Sequence, residues 1–193
     1  MTDWLSRLDQ DLTLWLNSFH NPVSDSVMIF LSDKGVWIPF YILVLAFIFR
    51  RLGTKKALIT LGAVALTVLA CDQTADLVKY SVQRLRPCYN TLMLDGGLHI
   101  LEKRGGFYGF FSGHAANAFG VAICTIAALR ADKGRYDYMP FNIMMILWAL
   151  GISLSRVFVG KHFLGDVIVG AAAGCIIGGL LGTLAAKLLR RLQ

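Results

Sequence analysis

Five long apolar stretches dominate this chain of 193 residues. They lie at about 36–49, 57–78, 110–129, 141–159 and 163–189. A helix needs roughly 20 apolar residues to cross the hydrocarbon core of a bilayer, so the stretches predict transmembrane helices. Only 16% of the residues are charged, against about 25% in an average soluble domain. We therefore expect an all-α integral membrane bundle that forms a single domain over residues 1–193, and we exclude disordered, fibrous and disulfide-rich classes.

The N-terminal segment, residues 1–20, has a different pattern. Its apolar side chains recur at helical spacing on one face, which is typical of an amphipathic helix lying in the membrane interface. These side chains are Trp4, Leu5, Leu8, Leu12, Trp15, Leu16 and Phe19. Asn21 and Pro22 end this helix. Residues 27–31 extend the first apolar stretch backwards, so six spans are the alternative to five.

Basic residues in the connecting segments predict the orientation. Three segments that five spans place on one side are rich in Lys and Arg, and such segments face the cytoplasm. They contain Arg50, Arg51, Lys55, Lys56, then Arg130, Lys133, Arg135, then Lys187, Arg190 and Arg191. We expect a bacterial inner membrane. The net charge of +7 then indicates basic loops and an anionic ligand, with no nucleic-acid partner.

Three polar patches interrupt the apolar pattern, at 79–87, 111–114 and 155–166. Each lies at the end of a span, and the predicted topology places all three on the extracytoplasmic side. Lys79, Arg86 and Arg156 provide three cations, two of them guanidinium forks that suit phosphate oxygens. Ser112 and Gly113 stand where a span begins, and a helix N-terminus with free N–H groups binds anions. The sequence therefore predicts a phosphate site.

Two histidines add reactivity to this site. His162 and Asp166 are four residues apart, so they share one face of a helix. The carboxylate can accept the Nδ1 proton and leave Nε2 free to attack a phosphorus atom. His114 provides a second imidazole that can protonate a leaving oxygen.

The spacing of these patches resembles the three-part signature of the type 2 phosphatidic acid phosphatase family. The pattern is Lys79-x6-Arg86-Pro87, then Ser112-Gly113-His114, then Ser155-Arg156-x5-His162-x3-Asp166. The family also includes glucose-6-phosphatase and the vanadium haloperoxidases. The resemblance covers about residues 79–166, the expected catalytic core. One position departs from the family pattern, because Phe111 stands where the family commonly has proline.

The resemblance implies a metal-independent lipid phosphatase without a cofactor, acting at the outer leaflet. His162 would form a phosphohistidine, Asp166 would orient it, and His114 would be the general acid and base. The remaining motif residues Lys79, Arg86, Ser112, Gly113 and Arg156 would bind phosphate. Undecaprenyl diphosphate, phosphatidic acid, phosphatidylglycerol phosphate and the phosphate of a lipopolysaccharide anchor are the substrates in reach, with the isoprenyl diphosphate or a simple phospholipid phosphate favoured.

Two other functions fit the same residues. A phosphotransferase would pass the phosphoryl group to another lipid, and a transporter or lipid-binding protein would use the basic pocket without chemistry.

Several residues outside the signature keep more than one interpretation. Gly170, Gly174, Gly178 and Gly182 form a small-residue face that predicts either tight packing within the chain or a homodimer contact. Asp72 and Asp76 are intramembrane acids and therefore functional candidates, although Asp76 also suits a role as the neutralising partner of Lys79. Arg84 and Lys161 either add positive potential at the mouth of the site or bind lipid headgroups.

Overall fold

The computed structural model describes residues 2–132 and 136–192, and it is helical almost throughout. Lys133 and Arg135 of the expected basic loop lie outside the described residues. The helices are α1 (Thr2–Asn17), α2 (Pro22–Ser32), α3 (Ile38–Val82), α4 (Thr91–Asp95), α5 (Gly113–Leu129), α6 (Met139–Phe158) and α7 (Leu164–Arg191). By length and hydropathy, three helical stretches suffice to span a membrane, at Gly35–Val82, Met139–Phe158 and Leu164–Arg191, and α5 is a shorter apolar helix.

Helix α3 provides two of the predicted spans. Straight, its 45 residues would measure about 68 Å, more than twice the hydrocarbon thickness. The helix breaks at Gly53, whose φ of 71° is a conformation that glycine adopts without strain. Near the break, Arg51 bonds Asp132, while Lys79 lies beside Gly113 at the opposite end of the bundle. The two arms are therefore antiparallel, and the segment expected as a loop at 50–56 is helical except for one glycine.

The first apolar stretch does not extend back through 27–31 as one continuous helix. Helix α2 ends at Ser32, and Asp33 and Lys34 separate it from the next helical turn. Both α2 and the first arm of α3 lie along α6, because Leu31 lies beside Gly151 and Phe47 stacks on Phe141. The two pieces therefore lie one after the other along α6.

Helix α5 lies at the centre of the bundle and contacts α3, α6 and α7. Its packing against α7 is the most extensive helix contact among the described residues. A Cβ atom added to any of the four stripe glycines of α7 would lie 2.2–2.5 Å from a carbonyl oxygen of α5. The oxygens opposite Gly170, Gly174, Gly178 and Gly182 belong to Ser112, Ala116, Gly120 and Cys124 respectively. The small-residue face therefore packs within the chain, against α5.

Helix α1 presents its apolar side chains outward, as the pattern predicts. Trp4 and Trp15 are 65% and 58% exposed, which suits a helix in the membrane interface. The opposite face of α1 is polar and buried, since Thr13 and Asn17 are almost inaccessible. This face contacts the polar end of the bundle.

The glycine contact yields a stability prediction. We expect Gly178→Ala to destabilise the protein by about 1–3 kcal/mol, because the new methyl group would meet the Gly120 carbonyl. Gly179→Ala is the matched control, since its methyl group would find only Ile123 at 3.8 Å. Thermal unfolding in detergent measures both variants, and equal melting temperatures would contradict the close backbone contact.

Candidate active site

The structure brings the predicted site residues to one end of the bundle. Asp166 lies in the first turn of α7, and its carbonyl accepts a hydrogen bond from Ser112 N at 3.0 Å. Ser112 caps α5 and is followed by Gly113 and His114. Lys79 Nζ lies 3.7 Å from the position that a Cβ atom on Gly113 would occupy. The ends of α3, α5 and α7 therefore meet at this site.

His162 and Asp166 form the buried centre of the site, with exposures of 2% and 0%. His162 Nδ1 lies 3.5 Å from Asp166 Oδ2, beyond a well-formed hydrogen bond, and has no hydrogen-bond partner within the described part of the chain. Such contacts are often long in unliganded enzymes and shorten in the substrate complex. The Asp166 carboxylate is fixed independently, because Oδ2 accepts a hydrogen bond from Phe163 N at 3.1 Å.

The loop that carries His162 follows α6 at Gly160, whose φ of 75° favours glycine. Burial lowers the pKa of His162 to about 4, although the Asp166 carboxylate acts in the opposite direction. The imidazole is therefore neutral at pH 7 and has a lone pair available for attack. Burial also lowers the pKa of Lys161, against the opposing effect of Glu102.

Arg86 and Lys79 line a cavity of about 350 Å³ together with Asp76, Tyr80 and residues 106–108. Lys79 Nζ bonds Asp76 Oδ1 at 2.9 Å, so Asp76 neutralises Lys79. Arg86 Nε donates to the Tyr108 carbonyl at 3.1 Å, and no carboxylate forms an ion pair with Arg86 in the described residues. This leaves a guanidinium with donors available for an anion.

Arg156 is buried, and its carbonyl accepts a hydrogen bond from His162 N at 3.2 Å. Its Nη1 donates to Ser32 Oγ and approaches the Glu102 carboxylate at 3.4 Å. Glu102 also lies 3.9 Å from Lys161 Nζ. Lys161 is 6% exposed and therefore lies inside the protein, and Glu102 is a carboxylate near the site that the motif pattern did not reveal.

Arg84 is the second residue whose position the sequence did not predict. Its Nη1 donates to Asp166 Oδ1 at 2.8 Å, and its Nη2 donates to Asp9 Oδ2 at 2.6 Å. The guanidinium also lies over the Phe163 ring at 4.0 Å. Arg84 therefore fixes the position of the Asp166 carboxylate.

Helix α1 fixes both ends of the His162 loop through a polar stripe at Asp9, Thr13 and Asn17. Asp9 Oδ1 accepts from Gly165 N at 2.7 Å, and Thr13 Oγ1 accepts from Leu164 N at 2.9 Å. Asn17 Nδ2 donates to the Phe158 carbonyl at 2.9 Å. The four-residue spacing of these side chains, opposite the apolar face, is the signal in the sequence that could have identified them.

Phe111 preserves the start of α5 despite its departure from the family pattern. The Phe110–Phe111 peptide is cis, and the Phe111 ring packs on Cys71, Ala75 and Ala116. Ser112 still accepts a hydrogen bond from Ala115 N as the helix cap.

These features define a class: an integral membrane protein with two histidines and a group of cationic side chains at one end of its helices. Residues 55–190 match the PAP2 superfamily, and the chain belongs to it and is a membrane lipid phosphatase. The chain is 35% identical over 195 residues to the lipid A 4'-phosphatase of Bacteroides thetaiotaomicron, covering 100% of this chain and 84% of that protein. It is 33% identical over 153 residues to the undecaprenyl-diphosphatase of Sulfolobus acidocaldarius, covering 78% of this chain and 65% of that protein.

A solved structure shows the same fold. The transmembrane PAP2-type phosphatidylglycerolphosphate phosphatase of Bacillus subtilis has a TM-score of 0.71 at 20% identity, covering 95% of this chain and 87% of that one.

The environment of His162 yields a prediction about its charge. Because burial lowers the pKa of His162 to about 4, the ring should stay neutral as the pH falls from 7 to 5 and become charged only near pH 4. Carbon-13 NMR of labelled histidine in detergent measures this, with the His162 signal assigned by its loss in His162→Gln. A signal that titrates between pH 6 and 7 would contradict the buried neutral imidazole.

The contact of Arg84 with Asp166 predicts a loss of turnover on substitution. We expect Arg84→Gln to lower kcat by about 10- to 100-fold, the effect of losing a charged hydrogen bond, with KM little changed. Arg84→Lys should recover part of the loss. Arg7→Gln, an exposed position on α1, is the control for charge alone. A change in KM without a change in kcat would show that Arg84 binds substrate directly.

Proposed function

We propose that this protein hydrolyses the phosphate of a membrane glycolipid through a phosphohistidine at His162. The observation that carries the proposal is the meeting of His162, Asp166 and His114 with Arg86 and Arg156 beside an apolar cavity. Phosphoryl transfer depends mainly on positioning and charge neutralisation, and both are provided by side chains of this site.

The reaction has two steps. His162 Nε2 attacks the phosphorus atom, the bond from phosphorus to the lipid oxygen breaks, and His114 donates a proton to that oxygen. His114 then takes a proton from water, whose oxygen attacks the phosphohistidine and releases inorganic phosphate. Asp166 orients the His162 ring through Nδ1.

The phosphate would bind where the cations converge. The guanidinium groups of Arg86 and Arg156 lie near His162, and their charges lower its pKa. Each can bond two phosphate oxygens. Lys79 adds a third cation from α3, and Ser112 and Gly113 add the N-terminal end of α5. The electrostatic gain is greatest as charge develops on the transferred group.

An apolar cavity beside His114 provides room for the lipid. Its volume is about 480 Å³, and its walls are mainly aliphatic and aromatic side chains from the two arms of α3, from α5 and from α6. His114 lines the cavity, so the leaving oxygen and the chain attached to it would extend into this space. A substrate with a soluble leaving group would gain nothing from such walls.

The site lies at the end of the bundle opposite the basic segments. Arg50 and Arg51 lie next to the break of α3 at Gly53, and Arg190 and Arg191 lie at the end of α7 far from His162. The positive-inside rule supports a site on the extracytoplasmic side, and a bacterial inner membrane is the location we propose.

The relatives favour one substrate class. The lipid A 4'-phosphatase matches the whole of this chain, whereas the undecaprenyl-diphosphatase matches a smaller part. We therefore place a glycolipid phosphate ahead of the isoprenyl diphosphate and phospholipid phosphates that the sequence first favoured.

Phosphate release by the purified protein in detergent with excess EDTA tests this function. The panel contains lipid A, undecaprenyl diphosphate, phosphatidic acid and phosphatidylglycerol phosphate. We expect release from lipid A at the highest kcat/KM, complete loss in His162→Ala, and inhibition by orthovanadate. Retained activity in His162→Ala would overturn the mechanism. A phosphorylated lipid product without free phosphate would indicate a phosphotransferase.

A further inference from the structure

Asp72 is an acidic residue within the membrane-spanning part of α3, and the catalytic mechanism does not use it. It lies seven residues before Lys79, about 10 Å deeper along the helix. Its side chain is exposed and lines the apolar cavity that His114 also lines. Ionisable groups at membrane depth are costly and usually serve a function. Asp72 is therefore a candidate for a functional role.

The partner of Asp72 is Asn117, whose Nδ2 donates to Asp72 Oδ1 at 2.7 Å. This bond fixes the orientation of the amide, since the opposite one would place two acceptors together. Neither Asp72 Oδ2 nor Asn117 Oδ1 has a hydrogen-bond donor within residues 2–132 and 136–192. Both unused atoms are acceptors. Asn117 Oδ1 is buried whereas Asp72 is exposed, so the carboxylate is the group that a hydrogen-bond donor of a ligand can reach.

The position of the pair relates it to the leaving group. Asn117 follows His114 by three residues on α5, about 4.5 Å deeper along the axis. In the proposed mechanism His114 contacts the leaving oxygen, so the atoms bonded to that oxygen enter the cavity next to Asn117 and Asp72. Lys34 also lines the cavity, and the described residues show no ion pair between it and Asp72.

We propose that Asp72 and Asn117 form a hydroxyl-binding subsite for the unit that carries the scissile phosphate. A phosphorylated sugar or glycerol offers hydroxyl or N–H donors beside the phosphate and would bond the carboxylate. An isoprenyl diphosphate offers no donor there, and its second phosphate would bring negative charge towards Asp72. Sites built to bond a substrate hydroxyl discriminate strongly against analogues that lack it. The inference rests on the proposed function and names the substrate class of that site.

The test compares kcat/KM of the wild type, Asp72→Ala and Asp72→Asn in the same detergent. Phosphatidylglycerol phosphate and lipid A carry donors near the phosphate, while phosphatidic acid is the matched phospholipid without a free hydroxyl. We expect Asp72→Ala to lower kcat/KM at least about tenfold for the first two, to leave phosphatidic acid within about twofold, and not to reduce turnover of undecaprenyl diphosphate. Asp72→Asn, which keeps an acceptor, should lose less.

Asp95→Asn, an exposed acid on α4, is the control for loss of one negative charge. An equal decrease for all substrates, or no decrease for any, would overturn the subsite while leaving the phosphatase intact. Absence of phosphate release by the folded wild type from every lipid would instead overturn the proposed function itself. If Asp72→Ala does not fold, the isosteric Asp72→Asn and Asn117→Ala provide the same comparison.

Discussion

The backbone contact between α5 and α7 is the constraint on which the rest of the site depends. Gly170 lies against the carbonyl of Ser112, and Ser112 N bonds the carbonyl of Asp166. The register of the glycine stripe therefore sets the position of His114 relative to His162. A side chain at a stripe position would separate the helices, and the two halves of the phosphate site would separate with them. The packing of α5 against α7 therefore determines the geometry of the site.

Charge balance is the second constraint, because the site buries many ionisable groups. Arg84 lies between the carboxylates of Asp9 and Asp166, and Glu102 lies near Arg156 and Lys161. A buried charge without a partner is strongly unfavourable. Removing one partner commonly costs about 3–5 kcal/mol, a large share of the roughly 5–15 kcal/mol by which a native domain is stable. Arg86 differs from these residues because it donates to a backbone carbonyl, that of Tyr108. This arrangement suits a guanidinium that binds the phosphate of a substrate.

The sequence predicts the spans and the signature residues because both depend on local pattern. Hydropathy identifies α5, α6 and α7, and motif spacing identifies His162, Asp166 and His114. The reversal between the first two spans follows from the apolar pattern and the basic segment at 50–56, but its form does not. Helix-forming residues continue on both sides, and a single positive φ at Gly53 redirects the chain. Arg84 and Glu102 could not be assigned for another reason. Their partners lie 82 and 54 residues away, and no local pattern encodes such contacts.

Helix α1 connects the membrane to the chemistry. A phosphatase that acts on a lipid headgroup must keep its histidine at the depth of that headgroup. The exposed tryptophans of α1 fit the interface, and the stripe at Asp9, Thr13 and Asn17 bonds the backbone on both sides of the His162 loop. The same helix thus presents its apolar face outward and bonds the His162 loop with its polar face. A change in the depth or tilt of α1 would act directly on the loop, because no flexible segment lies between them.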